Sequence, residues 1–276
     1  MTEAAIDTPP IAALPMYDFP ELRPAHDALW AALADRLAER GVRSVPPRLT
    51  RDLGHQEIWR HPSLLFGQGC EYPLTKSFSN RVTLVATPRY AAPGCEDAFY
   101  RSAIVVRKRD PACSLLELRN RKCVINEVDS NSGVNLLRAT VAPLSGGAAF
   151  FQSVRVSGSH RQSVAMVAAN QADVAAVDCV TFAHLQRFDP VLSSRVRILC
   201  WSPRSPSLPF VTASGTDEST IKALRASLAA VVTDPALASV RERLLLDGVQ
   251  LQPDTELSRV RQLERDAAAR QYPDLR

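Results

Sequence analysis

The residues best suited to chemistry in this chain lie in short polar turns that end apolar runs. The densest is Asp129-Ser130-Asn131-Ser132-Gly133, which follows the strand-like run beginning at Val124 and precedes an apolar helical pattern. The first N–H groups of a helix have no acceptor within it, and the dipole makes that end attractive to anions. Ser130, Asn131 and Ser132 can add side-chain donors, and Gly133 lets an anion approach the backbone closely. Four more turns carry similar content: Pro15-Met16-Tyr17-Asp18, Gly67 to Pro73 (G-Q-G-C-E-Y-P), Gly158-Ser159-His160 and Val177-Asp178-Cys179. Hydroxyls, amides and backbone N–H groups with few fixed cations suit a small anion in a dry cleft. Each residue also has a plainer use. Ser130 and Asp178 are good helix caps, His160 can bond to its neighbours at a helix start, and Tyr17 and Tyr72 can be structural aromatics. Cys70, His160 and Asp178 could also be read as nucleophile, base and orienter, but no local signature supports a Cys-His catalyst.

The elements that would position these turns alternate along the chain. Apolar runs at Ile11–Met16, Leu64–Phe66, Val82–Ala86 and Ser102–Val106 read as strands, and Pro24–Arg40 as a helix that Gly41 stops. The pattern restarts after Pro111. Strands are predicted at Cys123–Asn126, Val154–Val156, Val174–Val177 and Arg195–Trp201, a helical turn at Ser114–Arg119, and helices at Val134–Val141, Gln162–Ala169 and Cys179–Phe188. A proline-rich connector follows, and then a mostly helical tail over 217–270. This alternation predicts an α/β fold with parallel units. The expected layout is residues 1–105 plus 206–276 as a discontinuous first lobe and 106–205 as an inserted second lobe. Ligands of such folds bind where strands end and where domains meet.

Four of the turns, in order, carry a family resemblance: P-M-Y-D, G-Q-G-C-E-Y-P-L, V-D-S-N-S-G-V-N-L-L-R, and S-G-S-H-R-Q-S-V-A-M-V-A-A-N-Q-A-D-V-A-A-V-D. From about Ala12 to Thr212 the chain resembles the substrate-binding proteins of phosphate, phosphite and phosphonate ABC transporters. The resemblance implies a two-lobed type 2 periplasmic-binding-protein fold, with two mixed sheets flanked by helices and two hinge crossovers. It implies a non-catalytic protein that closes on a phosphorus oxyanion. The family's S-x-S-G turn falls on Ser130, Asn131, Ser132 and Gly133, its S-H turn on His160, and its V-D on Asp178. Tyr17 and Tyr72 would wall the cleft from the first lobe, and Gln68 would bond across it. Asn131 stands where a hydroxyl residue is common in the family.

Composition narrows the alternatives. Net charge is +4 over 276 residues and the basic residues, nearly all Arg, are scattered, so a nucleic-acid surface is not expected. The six cysteines show no C-x-x-C spacing, which argues against a zinc ribbon or thioredoxin motif and predicts free thiols, no metal and no cofactor. No run of eighteen apolar residues occurs, so no transmembrane helix is expected. Residues 1–10 show no leader pattern, which predicts a cytoplasmic protein as written and a periplasmic one if a leader was removed. The expected partners are a small anionic ligand and an ABC permease, with the chain a monomer or weak dimer. The competing reading is a cytoplasmic enzyme or sensor acting on a small anionic metabolite.

Overall fold

The computed structural model describes residues 8–251 and 258–276; the expectation of a missing leader, and the part of the predicted helical tail at 252–257, lie outside the described residues. The described residues divide into two compact units. The first comprises 8–69, Lys76–Pro88 and Leu208–Leu251, and the second Cys70–Thr75, Arg89–Ser207 and 258–276.

The first unit is built on a five-stranded sheet. Its strands are β1 (Ile11–Ala13), β2 (Leu64–Gln68), β3 (Val82–Tyr90, whose last two residues enter the second unit), β11 (Phe210–Ala213) and β12 (Leu246–Gln250), in the order β1-β2-β11-β3-β12. β1 and β2 are parallel, whereas β11 runs antiparallel to both β2 and β3. The helix Arg23–Glu39 starts with Pro24 in its first turn and buries Leu29, Trp30, Leu33 and Leu37. Trp30, Phe66 and Phe210 stack in series, with ring centroids 5.9 and 5.1 Å apart.

The second unit carries β5 (Ser102–Arg107), β6 (Lys122–Ile125), β7 (Ser153–Val156), β8 (Val174–Asp178) and β9 (Val196–Trp201), ordered β7-β6-β8-β5-β9. β6 is parallel to β7 and β8, and β5 is antiparallel to β8 and β9. The short strands β4 (Phe99–Tyr100) and β10 (Ser205–Pro206) form a separate antiparallel pair. Ile104, Val106, Ile125, Leu137, Val141, Phe150 and Val174 make a dry core between this sheet and its helices. Three parallel strands therefore end at one edge of the sheet, and each leads into a polar turn there.

Several expectations change. Helix–strand alternation predicted parallel units, yet β5 and β11 run against their neighbours, so both sheets are mixed as the family resemblance implied. The predicted lobe boundary at 105 falls inside β5. The buried run of β5 makes it an interior strand of the second sheet, so residues 89–105 group with the second unit. The last helix, Arg259–Ala269, also belongs to the second unit: Ala267 and Tyr272 are buried in its core. The tail expected to be helical includes β12, whose Leu246 continues the leucine run that ends the preceding helix at Leu244, so the pattern does not separate the two. The helical turn read at Ser114–Arg119 is present as a 3-10 turn, Leu116–Leu118. Short helices at His55–Arg60 and Glu71–Lys76 were not anticipated.

Candidate functional site

The parallel pairing of β6 with β7 brings the Asp129–Gly133 and Gly158–His160 turns together. Ile125 and Val156 are register partners at the carboxyl ends of these strands. The chain then stays stitched across the gap: the N–H groups of Ser157 and Gly158 donate to the carbonyls of Ile125 and Asn126 at 2.8 and 2.9 Å. Beyond this point, Ser132 Oγ and His160 Nε2 meet at 2.8 Å. Two residues that lie 28 positions apart, each in the first turn of its helical segment, thus share one hydrogen bond.

Asp178 ends β8 and pairs in register with Ser102 of β5, whose hydroxyl donates to the Ser132 carbonyl at 2.9 Å. Asp178 is buried, and its Oδ1 accepts from Thr181 N–H at 2.9 Å, capping the helix Cys179–Phe188. The plainer role foreseen for this residue is therefore present. Ser130 likewise caps, accepting Gly133 N–H on its hydroxyl at 2.9 Å, while its oxygen lies 3.4 Å from Ser132 Oγ. The helix opens with a π-helical turn, Asn131–Asn135, before the regular stretch Leu136–Ser145.

Asn131 differs from expectation. Its side chain is fully buried and every polar position is used inside the protein. Nδ2 donates to Tyr100 Oη at 3.0 Å and to Ser205 Oγ at 2.9 Å, and Oδ1 accepts from Asn135 Nδ2 at 2.9 Å. Its backbone N–H donates to Cys70 Sγ at 3.3 Å, a weak acceptor. The amide side chain frames the turn and leaves no donor over. Gly133 is crowded: a Cβ there would lie 1.9 Å from Asn126 Oδ1, so any side chain would displace the Asn126 amide.

The sequence reading missed several members of this network. Arg138 is buried and donates to Asn135 Oδ1 at 2.6 Å and to the Pro273 carbonyl at 2.9 Å. Its charge therefore reaches the turn through Asn135 and Asn131. An i,i+3 relation between Asn135 and Arg138 on one helix was the available signal. Tyr100, Ser102 and Ser205 come from β4, β5 and β10 and carried no local motif.

Burial controls the titratable groups. It pushes the His160 imidazole down to about 4, so the ring is neutral near pH 7. His160 Nδ1 is buried without a partner. An unpaired lone pair is less unusual than an unpaired N–H. Hydrogen-bond reasoning therefore assigns the proton to Nε2, where it donates to Ser132 Oγ. The Ser132 hydroxyl proton is then left to point elsewhere. Burial also pushes the Cys70 thiol up to about 12 and raises the Glu71 carboxyl well above its ordinary range. Both Glu71 carboxyl oxygens are buried and have no partner. A thiol that holds its proton this firmly is a poor nucleophile.

The remaining predicted residues make other contacts. Tyr72 belongs to the second unit, not the first; its hydroxyl donates to Glu264 Oε1 at 2.5 Å and lies 3.4 Å from the Arg138 guanidinium. Tyr17 and Gln68 are in the first unit and buried. Gln68 Nε2 donates to the Leu208 carbonyl at 3.1 Å, within its own unit. Beside Tyr17, Asp18 is held by Arg23 and Arg51 at 3.1 and 3.3 Å. Burial opposes its charge, but His26 and these arginines keep its carboxyl below the ordinary range. Among the described residues no group of three or more His, Cys, Asp or Glu side chains could hold a metal ion.

A family model described as ABC transporter, phosphonate, periplasmic substrate-binding protein matches residues 11–256. The chain belongs to this family. The phosphonate-binding family consists of periplasmic proteins that bind substrate for an ABC transporter rather than transform it. No curated protein matches the sequence. Solved structures of similar fold include XAC2383 from Xanthomonas citri bound to chloride, 17% identical, with a TM-score of 0.73 over 95% of this chain and 99% of that one. A binding-protein component of an ABC phosphonate transporter from Pseudomonas aeruginosa is 18% identical, with a TM-score of 0.72 over 95% and 88%. PhnD1 from Prochlorococcus marinus, in complex with methylphosphonate, is 12% identical, with a TM-score of 0.72 over 95% and 99%. The chain has the two-lobed α/β fold of these binding proteins.

Proposed function

We propose that this phosphonate-family protein holds a phosphorus oxyanion at the Ser130–Gly133 turn of its second unit. The ligand would be phosphate, phosphite or an alkylphosphonate, delivered to an ABC permease from the periplasm. The observation that carries the reading is the 2.8 Å bond between Ser132 Oγ and His160 Nε2, which joins two helix starts. In the Nε2–H tautomer, His160 donates to Ser132 and frees the serine proton for a ligand oxygen. The helix dipole adds attraction without a bound counter-ion. Arg138, buried two hydrogen bonds behind the turn, adds positive potential where screening is weak. Asp178, at the same sheet edge, would accept from a protonated ligand oxygen or a ligand amino group. Tyr72 would support this site from behind, through its contact with Arg138.

The same chemistry argues against catalysis. Cys70 keeps its proton and His160 is too weak a base to remove it at neutral pH. Binding without turnover, by a monomer or weak dimer, is the function proposed. Titration calorimetry with methylphosphonate, phosphite and phosphate tests it. At least one should bind, and Ser132→Ala and His160→Ala should each weaken that ligand while remaining folded. Unchanged affinity in both variants would remove the site, and release of inorganic phosphate from methylphosphonate would remove the non-catalytic reading.

A further inference from the structure

Six cysteines are free, and two of them nearly touch. Cys95 Sγ and Cys179 Sγ are 3.4 Å apart, although 84 residues separate them in sequence. Among the described residues no other pair of cysteine sulfurs comes within hydrogen-bonding distance. Cys179 is the first residue of the helix that Asp178 caps. Cys95 lies on the loop between β3 and β4, and its N–H donates to the Ala92 carbonyl at 2.9 Å. That loop closes on itself through paired bonds of 3.0 Å between Glu96 and Phe99.

The loop's approach to the helix depends on a glycine. Gly94 has φ +97°, and a Cβ there would lie 2.6 Å from the Trp201 ring and 3.1 Å from Cys179 Cβ. Any other residue would be strained and would push the loop away from the second sulfur. Backbone conformation and side-chain clearance thus both bring Cys95 to Cys179.

We propose that Cys95 and Cys179 form a disulfide in the oxidised protein, fastening the 91–98 loop to the helix start behind Asp178. The separation must shorten from 3.4 Å to about 2.0 Å, a movement within reach of side-chain rotation. The oxidant is another disulfide. Cys95, the more accessible of the two, attacks it as the thiolate and forms a mixed disulfide, releasing one thiol. Cys179 then loses its proton and attacks Cys95 Sγ, expelling the second thiol. Two protein thiols become one disulfide and the oxidant is reduced to two thiols. Contact with Cys95, burial and the neighbouring Asp178 all push the Cys179 thiol up, so this second step is the slow one. The family's periplasmic setting favours persistence of such a bond.

The test treats the full chain with oxidised glutathione, unfolds it in an alkylating reagent and maps tryptic peptides. The expected result is a mass lower by two hydrogens, with residues 90–101 linked to residues 162–187. Reduction should then lower Tm by about 5–15 °C, as expected for opening a loop of this length in the chain-entropy picture. Cys95→Ser should abolish both the link and the shift; this residue is only half-buried, so the variant is expected to fold. Six alkylated thiols after treatment, or a link through exposed Cys113 instead, would overturn the proposal. Neither readout depends on which ligand the protein binds.

Discussion

Removing the Asn131 side chain separates a framing role from a ligand-binding one. Asn131→Ala deletes three buried hydrogen bonds, to Tyr100, Ser205 and Asn135. Each is worth about 0.5–1.5 kcal/mol net, and buried hydroxyls that lose their partner add to that cost. Asn135 retains the Val260 carbonyl as acceptor at 3.1 Å, so its loss is partial. Tyr100 and Ser205 are almost fully buried and gain no water in exchange. The sum is about 3–5 kcal/mol, a large share of the roughly 5–15 kcal/mol that holds a domain folded. Ser132→Ala removes only the bond to His160 and the long contact with Ser130, for about 1 kcal/mol. On binding the order reverses. Losing a serine donor to an anion costs about 1.5–3 kcal/mol, or roughly 10–150-fold in Kd.

Urea unfolding followed by circular dichroism gives the first comparison, and calorimetry with methylphosphonate below the transition of either variant gives the second. The expected pattern is a much lower urea midpoint for Asn131→Ala and a much weaker Kd for Ser132→Ala. An Asn131→Ala protein as stable as wild type but unable to bind would falsify the framing argument and return the amide to the ligand.

Three more outcomes follow from the same structure. Between about pH 6.5 and 4 the unfolded chain takes up a proton that folded His160 refuses, so stability falls as pH drops through this window, by up to about 3 kcal/mol. His160→Gln should flatten that part of the urea-midpoint profile, and parallel profiles would contradict a buried neutral imidazole. Glu71 has the opposite sign: its raised folded value means stability is lost as pH rises above the ordinary carboxylate range. Glu71→Gln should therefore gain on wild type steadily from pH 4 to pH 8, and a constant difference would place a partner on that carboxylate. Tyr272→Ala, in the second unit's core, should cost about 3–5 kcal/mol in thermal or urea unfolding; a loss below 1 kcal/mol would mean that the C-terminal segment is not docked.

The strands were legible in the sequence wherever apolar runs were short and bounded by turn residues. Val174–Asp178 and Cys179–Phe188 were read almost to the residue because Asp178 is both strand end and cap. Strand direction was not legible. Alternation with helices suggests parallel units, but β5 and β11 run antiparallel to strands distant in sequence, and only long-range pairing reveals this. β4 and β10 are two residues each, too short for any period to show. The lobe boundary was misplaced because nothing in the composition changes at Pro88, whereas Tyr100 and Ser102 are needed at the edge where β8 ends.

Residue types at the site were legible, but the directions of their side chains were not. Ser130-Asn131-Ser132 reads as three interchangeable donors, and the fold separates them into three jobs. Ser130 caps, Asn131 frames, and Ser132 meets His160. The separation follows from geometry at a helix start: consecutive residues there point about 100° apart, so neighbours in sequence face different surroundings. An amide at position 131 can satisfy three partners at once, whereas a hydroxyl has one proton to give. An asparagine at this position therefore gives a stiffer turn than a serine would. A turn ordered before the anion arrives loses less freedom on binding. The expected consequence is that Asn131→Ser, which can keep at most part of the network, lowers the urea midpoint more than it raises Kd. A serine there that left stability unchanged and tightened binding would show that the position still faces the ligand.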